Sequence, residues 1–293
     1  MIPLLQDAYL TQFRGLIRLM RPKQWVKNTF VIAPLMFSGA FLDGVAVLQA
    51  LRAMVLFCLA SSATYIVNDI HDIERDRQHP TKSKTRPLAS GAVKLPVALV
   101  LLGALYACLV VGWFAAPTVV QVIGGYMLLN LAYTYVLKHE PVVDIFTIAV
   151  GFVLRTYAGG KALGVPVSAW MFVTTLCLAL YLASVKRRQE LVQMGIGGRK
   201  VLERYSLNLI DRYAEMSATG ALVFYSMFVM SAKPQLVMTV PVVLFGLFRY
   251  WYVVEELDGG ESPTDAVLAD RQLLLTVLVW VAICLWALWP GRT

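Results

Sequence analysis

Charged side chains are scarce in this chain. Asp, Glu, Lys and Arg make up 15% of its 293 residues, whereas soluble globular chains carry roughly 25%. Hydrophobic residues reach 58%, and the mean hydropathy is +0.66. This balance excludes an ordinary soluble enzyme and predicts a helical protein that lies within a membrane.

Cysteine and histidine are also scarce. The cysteines fall inside apolar runs and never at metal-ligand spacing, which predicts small core residues and no disulfide framework. They are Cys58, Cys108, Cys177 and Cys284. The three histidines lie on one predicted side of the membrane, where surface positions explain them better than metal ligation. Acidic, amide and basic side chains remain as the candidates for chemistry.

Apolar runs of about 20 residues recur along the whole length, and each can cross a hydrocarbon core. We expect an all-α, polytopic membrane protein in which residues 1–293 form a single transmembrane domain. The nine spans that we predict are 26–42, 47–67, 95–114, 117–137, 141–158, 167–185, 213–231, 234–252 and 270–289.

Basic residues collect on one predicted side of the membrane. That side receives the N-terminal tail and the loops 71–94 and 186–212. The positive-inside rule makes it cytoplasmic, with the N-terminus inside and the C-terminus outside. The basic residues of the other side are Arg52, Lys161, Lys233 and Arg292.

An acidic segment follows the second apolar run. Residues 68–76 read Asn-Asp-Ile-His-Asp-Ile-Glu-Arg-Asp, and helical spacing places Asn68, Asp69, Asp72 and Asp76 along one face. Like charges at this spacing repel each other, which indicates that a cation normally lies between them. Carboxylate and amide oxygens suit Mg²⁺, which keeps several waters and shares its shell with substrate phosphates.

The interpretation of this segment depends on the residues that follow it, because a solvated acidic helix end is the alternative to a metal site. A basic run that could reach the phosphates of a bound substrate consists of Arg75, Arg77, Lys82, Lys84 and Arg86. The combination favours a magnesium-diphosphate site at the membrane surface. Asp69, Asp72 and Asp76 are its expected catalytic groups.

Further candidates for binding a phosphorylated substrate lie toward the same side. Lys23, Lys27 and Asn28 lie at the start of the first span, and Tyr133 and Lys138 lie at the end of the fourth. Interfacial anchoring is the alternative for the lysines, because lysine and tryptophan both favour the headgroup level of a membrane.

Ionisable residues at or inside the predicted spans complete the set. Asp144 lies one turn into the fifth span, and Arg155 lies roughly 16 Å deeper at the helical rise. Charged groups at such depth need a partner or a function. For Arg155, a structural salt bridge and a substrate contact both stay open. Lys186 and Glu190 share a helical face where the sixth span ends, and a topology signal is the alternative there.

The pattern Asn68-Asp69-x-x-Asp72-x-x-x-Asp76, at the end of the second of nine spans, resembles the UbiA superfamily of intramembrane prenyltransferases. The span plan and this motif together cover nearly the whole chain. The resemblance implies nine helices around a central cavity that opens sideways to lipid. The chain departs from usual members because residues 186–190 read Lys-Arg-Arg-Gln-Glu and lack a second aspartate-rich motif.

A narrower branch, the decaprenyl-phosphate phosphoribosyltransferases, fits other segments better. The similar segments are Arg-Pro-Lys-Gln-Trp-Val-Lys-Asn at 21–28, His-Pro-Thr-Lys at 79–82, Arg86-Pro87, Gly151-Phe152 with Arg155, and Ala158-Gly159-Gly160. The resemblance implies that a polyprenyl phosphate attacks C1 of 5-phosphoribosyl diphosphate and releases diphosphate. Prenyl transfer from a prenyl diphosphate to an aromatic or lipid acceptor is the rival activity, and a lipid carrier without activity is another.

The resemblance also implies roles for the candidate residues. Mg²⁺ would be held by Asp69 and Asp72, with Asn68 or Asp76, and would neutralise the departing diphosphate. The extra 5-phosphate of the donor requires further cations, for which the candidates are Lys23, Lys27, Lys82, Arg86, Lys138 and Lys186. We expect an integral protein of the bacterial cytoplasmic membrane that takes 5-phosphoribosyl diphosphate and a polyprenyl phosphate lipid. We expect no nucleic-acid partner and allow for a homo-oligomer.

Overall fold

The structure is a computed structural model that describes residues 12–79, 81–194, 200–257 and 263–290. Regular structure within these ranges is helical throughout, and some short segments are 3-10 helix. The α-helices in chain order are α1 (12–20), α2 (Ala33–Ser38), α3 (Gly44–His71), α4 (Ile73–Gln78), α5 (Lys82–Thr85), α6 (Leu95–Ala115), α7 (Pro117–Tyr135), α8 (Val143–Leu163), α9 (Ala169–Met194), α10 (Leu207–Ala232), α11 (Val240–Glu256), α12 (Pro263–Ala269) and α13 (Arg271–Ala287).

The predicted all-α architecture is confirmed. Within the described ranges, five helical segments are long and apolar enough to cross a membrane: α3, α6, α8, α9 as far as Gln193, and the stretch Pro234–Glu256 that ends in α11. Helix α13 is apolar but has only 17 residues, while α7 and α10 have 19 and 26 residues. The count of nine spans stays a prediction.

The first predicted span, 26–42, is wrong as a continuous membrane helix. The chain instead forms 3-10 helix over Pro22–Val31, then α2, then a 3-10 turn at Ala40–Leu42. Gly159 of α8 accounts for part of this path. A Cβ atom at that position would lie 1.9 Å from the carbonyl oxygen of Val31. Glycine therefore permits a close approach of two backbones, which holds the 3-10 segment against the bundle.

The predicted loop from residue 186 onward is wrong in its first part, because α9 continues as helix to Met194. In a sequence, a run of charged residues predicts the end of a membrane span. In this structure the charged residues of the run form ion pairs with neighbouring helices. Arg188 of α9 binds Asp211 of α10, with 2.8 Å between Nε and Oδ1, and it binds Glu255 of α11 at 3.1 Å. These ion pairs join the polar ends of three helices, so the charged segment extends the helix.

The helix packing brings several polar helix ends to one end of the bundle. Helix α9 packs most extensively on α10, α8 packs on α7 and α9, and α3 packs on α6, α7 and α8. A buried apolar cluster between the 3-10 segment and α3, α7 and α8 includes Val31, Phe57, Ile123 and Ala158. Helices α3, α7 and α9 end, and α8 begins, at the end of the bundle that carries the acidic residues.

The cysteines are free, as predicted. Cys58 and Cys284 are buried, and Cys177 is partly buried. The expectation of a core position is wrong for Cys108, which is exposed on α6. A small, weakly polar side chain tolerates an outward position on an apolar helix.

Candidate active site

The acidic residues lie where α3 passes into α4. Backbone hydrogen bonds from Asp72 N to Asn68 O (3.0 Å) and from Asp76 N to Asp72 O (2.8 Å) continue helical geometry through the junction. The Asn68 amide donates to Asp72 Oδ2 at 3.3 Å. Asp69 and Asp76 are buried, whereas Asp72 is partly exposed. The predicted helical register of the four side chains is therefore kept.

Two arginines hold Asp69. The guanidinium groups of Arg21 and Arg86 both contact its Oδ1 atom. The other oxygen, Oδ2, is buried and has no hydrogen-bond partner. The Arg21 guanidinium also lies 4.7 Å from the centre of the Tyr65 ring. Asp69 thus has one oxygen shared by two cations and one oxygen that can still accept a ligand.

Lysines hold the other two aspartates. Lys138 Nζ lies 3.3 Å from Asp72 Oδ1, and Lys82 Nζ lies 3.9 Å from Asp76 Oδ1. Arg86 reaches Asp76 Oδ2 as well, also at 3.9 Å. Predicted acidic residues and predicted phosphate-binding cations therefore come together, although they are up to 69 positions apart in the sequence.

The surroundings of Asp72 and Asp76 shift the pKa values of these two carboxyl groups in opposite directions. Burial opposes ionisation of Asp72, but the hydrogen bond with His71 and the charge of Lys138 outweigh it and hold its pKa below the ordinary value. For Asp76, burial raises the pKa, with the positive charge of Lys82 working against it and the negative charge of Asp72 reinforcing it. The cluster thus combines a readily ionised carboxylate with one that gains its proton more easily.

A second, deeper cluster surrounds Asp144. This carboxylate is fully buried; Arg187 Nε donates to Oδ2 at 2.6 Å, and the Tyr205 hydroxyl donates to Oδ1 at 2.8 Å. Arg187 also donates to Glu190 Oε2 at 2.6 Å and to the Tyr133 hydroxyl at 2.9 Å. The sequence predicts a partner or a function for Asp144, and the structure shows a partner, the buried Arg187.

Arg155 lies in the interior of the bundle, as predicted. Its Nε donates to Asn28 Oδ1 at 2.8 Å, and its Nη atoms donate to Gly151 O at 2.7 Å and to the Tyr126 hydroxyl at 3.1 Å. The rings of Tyr126, Phe57 and Phe152 surround the guanidinium at 4.8 to 5.5 Å. Within the described residues Arg155 forms no ion pair, and its partners there are an amide, a carbonyl and a hydroxyl oxygen and three aromatic rings.

The 3-10 segment that carries Lys23 and Lys27 runs between these groups. Lys23 is exposed, and Lys27 is partly buried. The electrostatic neighbours of Lys27 include two like charges, Arg155 and Arg21, and the carboxylate of Asp265. Together with Arg21, Lys27 and Arg155 form a row of cations from the acidic cluster into the bundle.

The structure separates some residues that the sequence placed together. Tyr133 belongs with Arg187, whereas Lys138 belongs with Asp72. Lys186 lies 4.0 Å from Glu190, which supports the predicted shared face. Arg21 and Arg187 were missed as site residues. The need of buried Asp144 for a cation was a signal for Arg187, but the sequence could not show which basic residue packs beside it.

The acidic cluster has the donor chemistry of a divalent-ion site but not its arrangement. Within the described residues, no group of three or more His, Cys, Asp or Glu side chains converges as a metal site, because the aspartates point to their basic partners. The donor chemistry nevertheless fits: the oxygens are hard, and Asp69 Oδ2 is a buried acceptor without a partner. Asn68, Asp69, Asp72 and Asp76 fit Mg²⁺ if side chains exchange partners.

The chain matches the UbiA prenyltransferase family over residues 29–266. It therefore belongs to that family, as its resemblance predicted.

Several curated relatives are called decaprenyl-phosphate phosphoribosyltransferase. The one from Corynebacterium glutamicum is 36% identical over 282 residues, with 91% of this chain and 84% of the relative covered. The one from Mycolicibacterium smegmatis is 35% identical, with 91% and 90% covered, and that from Mycobacterium tuberculosis is 35% identical, with 92% of each chain covered. The similarity extends over nearly the full length of both proteins.

Solved structures share the fold. A UbiA homolog from Archaeoglobus fulgidus bound to GPP and Mg²⁺ has a TM-score of 0.71 at 16% identity, covering 94% of this chain and 99% of that chain. A digeranylgeranylglyceryl phosphate synthase has a TM-score of 0.66 at 16% identity, covering 95% and 99%. With the apolar helices and the family, this likeness makes the chain an integral membrane protein of UbiA fold.

Proposed function

We propose that this protein is a Mg²⁺-dependent transferase that moves the 5-phosphoribosyl group of 5-phosphoribosyl 1-diphosphate onto a polyprenyl phosphate and releases diphosphate. The observation that carries the proposal is the similarity of 35–36% to decaprenyl-phosphate phosphoribosyltransferases over about nine-tenths of the chain. The length of the lipid is left to experiment.

The charge of the site supports this donor. Three aspartates are surrounded by four cations, namely Arg21, Lys82, Arg86 and Lys138. Lys27 and Arg155 extend the positive charge inward. A prenyl diphosphate carries two phosphates, whereas 5-phosphoribosyl diphosphate carries three, and each additional phosphate is stabilised by further cationic donors.

The reaction needs little proton transfer. The bond between C1 of the ribose and the diphosphate oxygen breaks, and a bond forms between C1 and an oxygen of the lipid phosphate. That oxygen is already anionic at neutral pH, so no strong general base is required. Attack from the side opposite the leaving group predicts inversion at C1 and a β-linked product.

Asn68, Asp69, Asp72 and Asp76 would hold the ion, and Mg²⁺ would neutralise negative charge on the departing diphosphate. With their oxygens on an ion, these residues would release Arg86, Lys82 and Lys138 from their carboxylate partners. The same cations can then donate to the phosphates of the donor. Lys23 and Lys186 remain candidates for the 5-phosphate at the edge of the site.

The proposed setting follows the distribution of charge. The acidic cluster and its cations lie at the cytoplasmic surface of a bacterial inner membrane, with the N-terminus on the same side. The soluble donor enters from the cytoplasm, and the polyprenyl phosphate enters from the bilayer. A homo-oligomer is compatible with this arrangement and is tested by the mass of the detergent-purified protein.

The test separates phosphoribosyl transfer from prenyl transfer. Purified protein receives Mg²⁺ and polyprenyl phosphate with ribose-labelled 5-phosphoribosyl diphosphate, or labelled prenyl diphosphate with an aromatic or lipid acceptor. We expect ribose label in the lipid fraction and a product mass equal to the lipid plus one phosphoribosyl group. Label that moves only from the prenyl diphosphate would assign the protein to prenyl transfer. Absence of turnover with both donors would favour a carrier.

A further inference from the structure

A cavity of about 190 Å³ lies at the end of the bundle opposite the acidic cluster. It is bounded by Gln49 and Arg52 of α3, by Lys161 of α8, and by residues 115–119 where α6 turns into α7. Arg52 precedes Asp69 by more than four helical turns on the same helix, which corresponds to about 25 Å along its axis. The cavity therefore belongs to the other membrane surface and is separate from the proposed active site.

The cavity is positively charged. Arg52 donates from Nη1 to the carbonyl oxygen of Ala115 at 3.4 Å, and Lys161 Nζ lies 5.3 Å from the centre of the Tyr157 ring. The residues that line the cavity include no Asp or Glu. In the part of the chain that the structure describes, neither Arg52 nor Lys161 forms an ion pair. Two positive charges thus share a cavity without a carboxylate to balance them.

The position of the two cations argues for more than simple anchoring at the membrane surface. An isolated lysine or arginine near a helix end commonly extends toward water and headgroups. Arg52 instead lies two turns inside α3 and bridges to the turn between α6 and α7. This contact places the exposed guanidinium of Arg52 at the wall of the cavity. Lys161 lies at the end of α8 and faces the same space.

Backbone groups complete the donor set. Helix α7 begins at Pro117 and has no side-chain cap, so the N–H groups of Thr118 and Val119 lack a partner within the helix. Both residues line the cavity. These donors strengthen a site that the two side-chain charges already define. Hydrogen-bond donors and positive charge without a neighbouring carboxylate are the chemistry that binds phosphate oxygens.

We propose that this cavity binds a phosphate group at the membrane surface opposite the active site. The phosphate comes either from the headgroup of an anionic phospholipid or from a free phosphate ion. A volume of 190 Å³ equals that of about six water molecules in the liquid, which accommodates a phosphate and one ester substituent. The phosphate of a phospholipid headgroup lies at the depth of a membrane surface, and basic pockets between membrane helices bind anionic headgroups.

The experiment compares the wild-type protein with Arg52→Gln/Lys161→Gln and with Lys233→Gln as a matched control. Lys233 ends α10 and belongs to the same predicted membrane side, but it does not line the cavity. One arm measures retained phosphatidylglycerol against phosphatidylcholine by native mass spectrometry. A second arm measures the melting temperature of delipidated protein with and without inorganic phosphate.

We expect the double variant to retain about one-tenth as much phosphatidylglycerol as the wild type, with the control unchanged and phosphatidylcholine unaffected. Protection by inorganic phosphate that disappears in the double variant, with equal lipid retention, would assign the site to the free ion. Equal behaviour of wild type and double variant in both arms would overturn the proposal. If the double variant does not fold, the same two measurements are made on Lys161→Gln, which changes one side chain at a helix end, and the same outcomes apply. No readout depends on transferase activity.

Discussion

At the scale of single residues, Asp69 has the most unusual surroundings of the acidic cluster. Two guanidinium groups share one of its oxygens, while the other oxygen is buried and unbonded. A buried acceptor without a partner costs free energy, commonly about 1–3 kcal/mol. Such a cost is understandable where a ligand supplies the missing partner during function.

Replacement of Asp69 tests this role. We expect Asp69→Asn to lower turnover about 100-fold or more, because the amide keeps the shape but removes the charge that attracts Mg²⁺; losses of 10²–10³ are common when one electrostatic group of an active site is removed. Initial rates are measured over a range of Mg²⁺ concentrations.

Glu74→Gln is the matched control for Asp69→Asn. Glu74 is exposed on α4 and pairs with Arg77 at 2.9 Å. Its replacement by glutamine therefore removes one charge from the same segment without changing the acidic cluster. Turnover of this control should stay within about twofold of the wild type, since exposed ion pairs contribute little. Equal activity of Asp69→Asn and the wild type would remove Asp69 from the metal site.

Individual site residues were only partly predictable. Asn68, Asp69, Asp72 and Asp76 lie within one segment, so their spacing alone indicated a shared face. Arg187 was missed because its contact with Asp144 spans 43 positions and depends on how α8 packs against α9. The sequence showed the need for a cation but not its identity.

At the scale of elements, the contact between α8 and the 3-10 segment Pro22–Val31 positions the cations of the site. Gly159 permits this contact, because a Cβ atom there would meet the carbonyl carbon and oxygen of Val31. The same 3-10 segment carries Lys27 and Asn28, and Asn28 binds Arg155. A shift of this segment would therefore change the row of cations.

Gly159→Ala should destabilise the protein and lower its activity. Overpacking commonly costs about 1–3 kcal/mol, and the displaced 3-10 segment moves Lys27 and Asn28 from their positions. Thermal unfolding and turnover are measured together. Gly124→Ala is the control, because no atom lies within 4 Å of the added Cβ in α7. That control should be neutral or slightly stabilising, as alanine favours helix; equal effects of the two changes would contradict the packing argument.

The start of α13 gives a pH-dependent element. Arg249 of α11 donates two hydrogen bonds to Asp270, at 2.7 and 3.1 Å, and Leu273 N donates to it at 2.8 Å. The Arg249 hydrogen bonds are the main cause that holds the pKa of Asp270 below its ordinary value of 3.8; burial opposes them, and the hydrogen bond from the Leu273 backbone adds a smaller lowering. Asp270 thus stabilises the folded protein when it is ionised.

We expect Asp270→Asn to lower the melting temperature at neutral pH, because asparagine keeps the helix cap but loses the charge pair. The folded pKa is depressed, so the stabilisation by Asp270 is present above pH 3.8 and disappears as the pH falls through the depressed value. The difference between variant and wild type should therefore shrink below pH 3.8. A difference that is constant from pH 7 to pH 3 would contradict the ion pair.

Two element boundaries depend on tertiary contacts that hydropathy does not reveal. The run 26–42 is apolar enough for a span, and hydropathy alone cannot anticipate that a tertiary contact with Gly159 holds part of it as 3-10 helix. The charges at 186–190 predict the end of a span, but Arg187 and Arg188 pair with carboxylates on neighbouring helices. Pairing between helices, which the sequence does not display, changed both boundaries.

At the scale of the whole molecule, the bundle carries acidic and basic groups at one end and a purely basic cavity at the other. Within the described residues, Asp69, Asp72 and Asp76 define the first end, and Arg52 and Lys161 define the second. The positive-inside rule assigns the first end to the cytoplasm. This assignment is a prediction about the orientation of the entire protein.

Cysteine labelling tests the orientation. In a background with Cys58, Cys108, Cys177 and Cys284 replaced, a single cysteine is introduced as Glu74→Cys or Lys233→Cys. A membrane-impermeant thiol reagent should label Lys233→Cys in intact spheroplasts and Glu74→Cys only in inverted vesicles. The reverse pattern would place the acidic cluster outside the cell. Labelling of both from one side would contradict the five spans predicted between the two positions.

The all-α architecture and its membrane character followed from composition and periodicity, because an apolar chain with about 20-residue runs has few other ways to satisfy its backbone in lipid. The grouping of the helix ends did not follow, since α3, α7, α8 and α9 meet through contacts between distant residues such as Lys138 and Asp72. The family resemblance supplied that arrangement.

The sharing of Asp69 between Arg21 and Arg86 has a consequence for how a metal ion and a phosphorylated substrate bind. Every aspartate of the resting cluster already pairs with a cation. An anion that binds alone therefore competes with the aspartates for these cations, and a cation that binds alone competes with the basic side chains for the aspartates. If a divalent cation and a polyanion bind together, the cation can pair with the aspartates and the polyanion with the basic side chains. No charged side chain is then left without a partner. Binding of the cation should therefore raise the affinity for the polyanion, and by thermodynamic linkage the polyanion raises the affinity for the cation by the same factor.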